Sequence, residues 1–321
     1  MSILLGDTCM SLMEANQRHG YEDTEAFYRK VVKRRQTLDV LPFYPSNQGN
    51  VHVYTQAVKL GKGTWRNANE GYTQSTAKME SITQNLKLYS TFSFVSNDNL
   101  DLEGAAARES EDDMIGRGVL ESFLDDVINA DGKNPKSIKG FAGYRNKVDD
   151  TLCLDAGGTT TANLTSLYLA EFGPETLNVR YNPAITGDQY GIGLKTLDKG
   201  EQQHQDNEGK VMFGYMTTFD MTAGIELRQQ ESLIRIANID TKDGAFPEDL
   251  IVDAITTLPS SGSGAVMLAP RPIYAMYMKY ALNKSNMAFT VETIENLGLV
   301  LKFLGIPILR EDAIRIGEKV A

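Results

Sequence analysis

The sequence predicts an α+β chain organised around one long helix, with a strand-rich half and an extended polar excursion completing the pattern. Residues 101–130 place Ile115, Val119, Phe123 and Val127 at every fourth position, widened into a stripe by Leu120, Leu124 and Ile128. That spacing is one face of a helix, about 45 Å long if all thirty residues take part. Beyond residue 140 the period changes to two. Residues 164–172, 176–181, 211–227 and 233–240 alternate between Gly, Pro and Asn breaks, as strands do. Ahead of the helix, residues 46–85 are polar, with Gly49, Gly61, Gly63 and Gly71 as turn points. An excursion of that length with so few apolar residues cannot bury itself in a compact domain. Its strand-like patches at 51–55 and 57–59, with a return beginning at Trp65, predict a hairpin that lies on a neighbouring molecule.

The other elements follow from local signals. Residues 8–35 read as helical in two pieces divided near Gly20, the second capped by Thr24. Residues 38–43 form a short apolar clamp ended by Pro42 and Pro45. Asp101 is the expected cap of the long helix, Glu103 adds first-turn negative charge, and Gly132 with Pro135 ends it. Gly116 and Gly118 each weaken that helix by about 1 kcal/mol relative to Ala, so a bend or close crossing is expected there. The segment 183–210, rich in Gly, Asp and Gln, reads as a surface loop. After residue 240 the pattern is α/β: Pro247, Glu248 and Asp249 open a helix through Leu258. A Ser-Ser-Gly-Ser-Gly turn, a buried strand at 265–269 and a helix at 272–282 come next. A final strand at 305–309 is expected at a sheet edge because of Pro307.

Composition narrows the function. The chain has 321 residues, 41% hydrophobic and 23% charged, enough for one large or two ordinary domains with a substantial core. No apolar run approaches the roughly 20 residues that cross a bilayer. Ile3-Leu4-Leu5 before Gly6 and Asp7 is too short for a secretory signal, so a reducing cytoplasm is the expected compartment. Cys9 and Cys153 lie far apart in no metal or disulfide pattern and read as small buried apolar residues. The net charge of −10 argues against a protein that grips nucleic-acid phosphates. Charge is also unevenly placed: 101–130 alone carries −7, whereas Arg29, Lys30, Lys33, Arg34 and Arg35 crowd into seven residues. Complementary blocks fix register between subunits. The basic run 29–35 is therefore expected to meet an acidic protein surface such as the long helix, with a polyanion such as DNA as the alternative.

Apparent catalytic motifs do not hold together. Asp155-Ala-Gly-Gly-Thr-Thr-Thr161 resembles the phosphate loop of actin-like ATPases but has no partner loop or adenosine site, so it reads as a Gly-Thr turn. Gly191-Ile-Gly193-Leu-Lys-Thr196 lacks P-loop spacing. His19, His52 and His204 are isolated from any nucleophile arrangement. Asp112-Asp113 and Asp125-Asp126 could in principle hold a cation, yet neighbouring helical residues point about 100° apart and make a solvated face instead. No catalytic, cofactor-binding or metal-binding residue is assigned, and the chain is not read as an enzyme.

The order of elements resembles the major capsid proteins of tailed bacteriophages, the Hong Kong 97-type fold, in the short-tailed-phage branch of the epsilon-fifteen and Bordetella phage capsid proteins. The marks are the Trp65-Arg66 ribbon, Leu-Glu-Gly-Ala-Ala-Ala-Arg-Glu at 102–109, and Leu-Tyr-Leu-Ala-Glu-Phe-Gly at 167–173. Arg-Ile-Ala-Asn-Ile-Asp at 235–240 and Leu-Gly-Ile-Pro-Ile at 304–308 complete the set, which spans nearly the whole chain.

The resemblance implies residues 1–40 as an N-terminal arm, 41–95 as an E-loop lying over an adjacent subunit, and 96–240 as a P-domain with its spine helix at 101–130. Residues 241–321 would then be the A-domain and C-terminal tail. Because the strand-rich 164–240 region precedes the A-domain-like part, the permuted topology is expected, with no long P-domain strand after Leu309. The implied function is self-assembly into the icosahedral head shell enclosing a double-stranded DNA genome. The implied partners are copies of the chain in hexamers and pentamers, a portal protein at one vertex, a decoration or cement protein, and a separate scaffolding protein or none. An arm of this length is expected to carry no fused scaffold. Assembly in the host cytoplasm is implied, with no membrane and no sequence-specific nucleic-acid partner. Lys59 and Lys62 are candidates for covalent crosslinking by position only. An encapsulin-type nanocompartment shell is the alternative within the fold, and an ATPase using 155–161 the alternative outside it.

Overall fold

The computed structural model describes residues 35–321 apart from 187–193, 206–208, 243–246, 261, 263, 282–288 and 295–297. The helices expected over 8–35, all but Arg35 of the basic run, and Gly191–Gly193 lie outside the described residues. A single turn, α1 (Thr37–Val40), drops Leu38, Val40 and then Leu41 into the core, and β1 (Phe43–Pro45) follows it. β2 (Val51–Lys59) and β3 (Lys78–Asn85) form a two-stranded antiparallel hairpin, and β4 (Lys87–Ser96) leaves its root. Helices α2 (Asn97–Glu103) and α3 (Ala106–Asn129) come next, then the short α4 (Phe141–Tyr144). The middle of the chain holds β5 (Cys153–Asp155), β6 (Leu164–Glu171), β7 (Leu177–Tyr181), the short α5 (Pro183–Thr186), β8 (Leu194–Gln205), β9 (Val211–Leu227) and β10 (Leu233–Asp240). The last part holds α6 (Glu248–Thr257), β11 (Ala265–Ala269), α7 (Arg271–Ala281), β12 (Phe289–Ile294), β13 (Gly298–Phe303) and β14 (Ile306–Arg310).

Two larger sheets organise these strands. The first runs β1-β7-β9-β4, with β8 also pairing along β9. The second has seven strands in the order β12-β13-β14-β11-β6-β10-β5. Helix α3 sits between them. Its buried face of Val119, Leu120, Phe123, Leu124, Val127 and Ile128 packs on Val179, Phe219 and Ile225 of the first sheet and on Tyr168, Ala170 and Leu268 of the second, in one core. The second sheet is covered on its other face as well, where Leu167, Leu169 and Met267 meet Ile251 and Ala254 of α6 and Ile273 and Tyr277 of α7. Covered on both faces, β6 and β11 are buried along their whole length.

Phe123 is nearly fully buried at the centre of the shared core and its ring lies 6.1 Å from that of Phe43. Phe123→Ala is expected to lower subunit stability by about 3–5 kcal/mol, the usual cost of emptying a buried aromatic site. Urea unfolding of the unassembled subunit measures it, and a loss below about 1 kcal/mol would contradict this packing.

Several expectations are corrected. The long helix does not start at Asp101: Gly104, at φ +80°, breaks it into α2 and α3, and Ser96 rather than Asp101 caps the first piece. The remaining rod of 24 residues is about 36 Å long and passes unbroken through Gly116 and Gly118. The hairpin returns at Lys78, not at Trp65, so 60–77 is a long tip. Part of the expected loop at 183–210 is β8, a mostly exposed strand whose polar residues suit an outer position on β9. β14 is interior rather than an edge. Pro307 precedes the parallel pairing with β11, which begins at Ile308, so its missing N–H costs that ladder nothing. The block 164–240 is also not one unit, since β6 and β10 belong to the second sheet and β7 to β9 belong to the first. A boundary at 240 would cut through a sheet.

Candidate assembly surface

The hairpin has a buried root and an exposed body. Alternation in β2 turns His52 and Tyr54 inward, where both are buried, while residues 60–81 are exposed throughout. The root is held by polar contacts. Asn47 Nδ2 donates to Val53 O at 2.7 Å and Val53 N–H donates to Asn47 Oδ1 at 3.0 Å. Asn182 Nδ2 donates to Asn50 Oδ1 at 2.6 Å, and Gln84 Nε2 donates to Ile225 O of β9.

At the centre of the root lies a carboxylate, Glu226, whose side chain is fully buried. The Arg228 guanidinium reaches it at 2.6 Å, Arg180 pairs with its other oxygen, and His52 Nε2 stands 3.4 Å away. Burial alone would push the Glu226 carboxyl up, but hydrogen bonds from Arg228 and Arg180 and their charges hold it below its ordinary range. Burial also holds the His52 imidazole below its ordinary value, with Arg180 and Arg228 acting in the same direction and Glu226 opposing them. Tyr54, shielded by the same burial, is pushed up. The arrangement ties β2 of the hairpin to β7 and β9 of the first sheet. Nothing in the strand alternation announces it; the available signal is a charged residue, Arg180 or Glu226, inside an otherwise buried strand.

The tip is braced although it is exposed. Arg66 donates to Glu70 O at 2.7 Å and to Tyr72 Oη at 2.9 Å, and its guanidinium lies 4.0 Å above the Tyr72 ring. Asn67 N–H donates to Glu70 Oε2 at 2.8 Å, and Asn69 takes φ +73° to close the turn. Beside this turn Trp65 is 104% exposed, with Leu60 and Tyr72 also in solvent. A second apolar surface lies on the face of the first sheet turned away from α3. Leu88 and Phe92 of β4 are exposed there, and Leu197 of β8 aligns with Phe92 through Thr218. His204 sits 4.9 Å from the Phe94 ring on that face.

The acidic stretch on α3 is largely partnered within the chain. Asp112 accepts from Ser93 Oγ and, at 2.9 Å, from Thr217 Oγ1; Asp113 lies 3.8 Å from Arg117. The two adjacent pairs diverge as helix geometry requires. Asp125 takes Arg35 at 2.9 Å, whereas Asp126 is pushed up by burial and by Asp125. Among the described residues no group of three potential metal ligands occurs. The described end of the basic run does meet the acidic helix, in its own chain: Arg35 bridges Asp125 and the fully buried Glu311 that follows β14. Arg35→Ala leaves that carboxylate buried without its cation and is expected to cost about 3 kcal/mol. Thermal or urea unfolding checks this, and an unchanged midpoint would contradict it.

The 155–161 loop is a mostly exposed turn whose first amides are hydrogen-bonded within the chain. Ala156 and Gly158 N–H donate to Ala237 O and Asn238 O at 2.9 and 3.0 Å, and Gly157 N–H to Asp155 Oδ1 at 2.9 Å, so the amides that would cradle a phosphate are engaged. A Cβ on Gly158 would meet Asn238 O at 2.4 Å, which explains that glycine without any ligand. Lys59 and Lys62 are both exposed, on β2 and on the tip. No described helix is long and apolar enough to cross a membrane.

Comparison with known proteins completes the picture. No curated protein matches the chain in sequence. A chain of bacteriophage epsilon15 is similar in structure, with a TM-score of 0.64, 24% identity and 87% of each chain covered. The capsid of bacteriophage JBD30 is similar at a TM-score of 0.47 and 12% identity, covering 86% of this chain and 89% of that one. An encapsulin from Synechococcus elongatus PCC 7942 is similar at 0.46 and 12%, covering 67% and 91%. The epsilon15 likeness establishes the Hong Kong 97-like α+β fold; the other two are too distant to add to it. Residues 30–321 match the family described as major capsid protein GP7, and a chain matched over nearly its whole length, with a hairpin that finds no cover in its own fold, belongs to that family of phage head-shell proteins.

Proposed function

We propose that the hairpin is the E-loop of this capsid protein and lies across an adjacent subunit of the shell. The supporting observation is the contrast between its locked root, closed around Glu226, and its braced, solvent-exposed tip carrying Trp65. An exposed element that is rigid at both ends has already lost the entropy that binding would cost, which is how a contact surface is built. The first sheet with α3 serves as the P-domain and spine, and the second sheet with α6 and α7 as the A-domain meeting its copies at the five- and six-fold axes. The A-domain boundary follows sheet membership and includes β5, β6 and β10. The last described strand, β14, lies in the second sheet, which agrees with the permuted order. Residues 1–40 serve as the N-terminal arm, in whose described part Arg35 is anchored on Asp125 and Glu311.

The shell is built of hexamers and pentamers around double-stranded DNA and assembles in the host cytoplasm. One vertex carries a portal protein, a decoration or cement protein binds the outside, and any scaffold is a separate protein. The role is structural and involves no enzymatic step. Crosslinking mass spectrometry on shells assembled from mixed heavy and light subunits tests the E-loop assignment. Links from Lys59, Lys62 or Lys78 to the first sheet of a differently labelled subunit are expected; links confined to one isotope label would contradict it.

A further inference from the structure

The geometry points to a receptor for Trp65 on a second copy of this chain: a half-open cavity between the start of β4, the C-terminal half of α3 and the loop at 134–138. This inference rests on the E-loop reading and deepens it by naming the anchor and its seat. The cavity measures about 290 Å³. Tyr89, Phe123, Ile138 and Ala223 give it apolar walls, and Asp126 lines it beside them. A second hollow of about 270 Å³ adjoins it through Lys87, Asn134, Ser137 and Ile138. Together they form a trough, the shape that a ribbon crossing the surface requires.

The chemistry of the two surfaces agrees. An indole needs a flat apolar enclosure and one acceptor for its N–H, because a buried Trp N–H without a partner is costly. Asp126 is half-buried, with the like charge of Asp125 and the cation of Arg315 both near it, and a carboxylate has lone pairs enough to accept a further donor from outside. β4 is the outermost strand of its sheet on this side, and Asn134 and Lys136 at the mouth of the cavity are exposed, so the approach is open. The chain's own Trp65 cannot fill the site. The cavity lies at the hairpin root, and the nine residues of β2 alone carry the chain about 30 Å away from it. Trp65, fully exposed beside a braced turn, is a preorganised knob of the kind that dominates interface energetics.

The chain holds a single tryptophan, so its fluorescence reports this contact directly. Unassembled subunits should emit at the red, water-exposed position. In purified wild-type shells the emission should move to the blue, and acrylamide quenching should fall several-fold. Lys136→Phe and Asn134→Phe alter the cavity mouth at exposed positions and should leave the circular dichroism of the unassembled subunit unchanged. Both should reduce shell yield several-fold and return Trp65 to the red in any shells that form. Trp65→Ala should lose yield to the same degree, with Trp65→Phe intermediate. Wild-type shells whose tryptophan stays red and readily quenched would overturn the anchor and leave the shell assignment standing. Blue-shifted emission kept in shells of both mouth variants would overturn the cavity. A wild-type protein that forms no shells would remove the underlying reading together with this one.

Discussion

A subunit in which residues 60–77 are replaced by Asn-Gly is expected to fold normally and to form no shells. Lys59 and Lys78 are paired at the end of the hairpin ladder, so a two-residue type I′ turn closes the shortened hairpin without disturbing the register below it. Every residue removed is exposed, so stability should change by no more than about 0.5 kcal/mol. Assembly responds quite differently. A closed shell multiplies one contact over every subunit, and each subunit is held by several neighbours at once, so removing a repeated contact acts cooperatively on the whole particle. Urea unfolding and sedimentation velocity on the same preparation separate the two effects. Full-sized particles from the shortened chain would show that the hairpin tip is not an assembly element.

The second large effect is at Glu226. Replacing it by Ala leaves Arg180 buried without its counter-charge and should cost about 3–5 kcal/mol, against about 1 kcal/mol for an average substitution. The same cluster sets a pH dependence whose sign follows from its charges. His52 and Glu226 are both held below their ordinary values in the folded protein, so the unfolded chain binds their protons more readily. Stability is therefore greatest above 6.5, the ordinary His52 value, and falls as acid is added. A second decline sets in below 4.5, the ordinary glutamate value. Arg180, Arg228, Glu175, Tyr54 and Tyr144 surround the pair. Urea midpoints from pH 8 to 4 test this, and His52→Gln should abolish the upper stage only. A wild-type midpoint that stays flat between pH 7 and 5 would contradict it.

What could be read from the sequence divides along physical lines. Strands β6, β7, β9 and β10 and helices α6 and α7 were legible to within a residue or two, because each carries its own period and its own Gly, Pro or acidic boundary. The stripe on α3 was legible for the same reason: Val119, Leu120, Phe123, Leu124, Val127 and Ile128 are all buried. The break at Gly104 was not, since a glycine at positive φ looks no different in sequence from the glycines that α3 tolerates. Strand β8 was hidden because its partner, not its own composition, makes it a strand. Partition between the two sheets depends on pairings such as Arg235 with Tyr168, which no local window contains. The exposed hairpin was legible as a lack of apolar residues, whereas the Glu226 lock was not, because its four members come from β2, β7, β9 and the turn after β9.

Electron microscopy of the purified chain is the most direct test that this protein builds a shell through its exposed hairpin. Closed icosahedral particles are the predicted result, with density for the hairpin lying on an adjacent subunit. A population of monomers or open, irregular oligomers under conditions where the subunit is folded would contradict it.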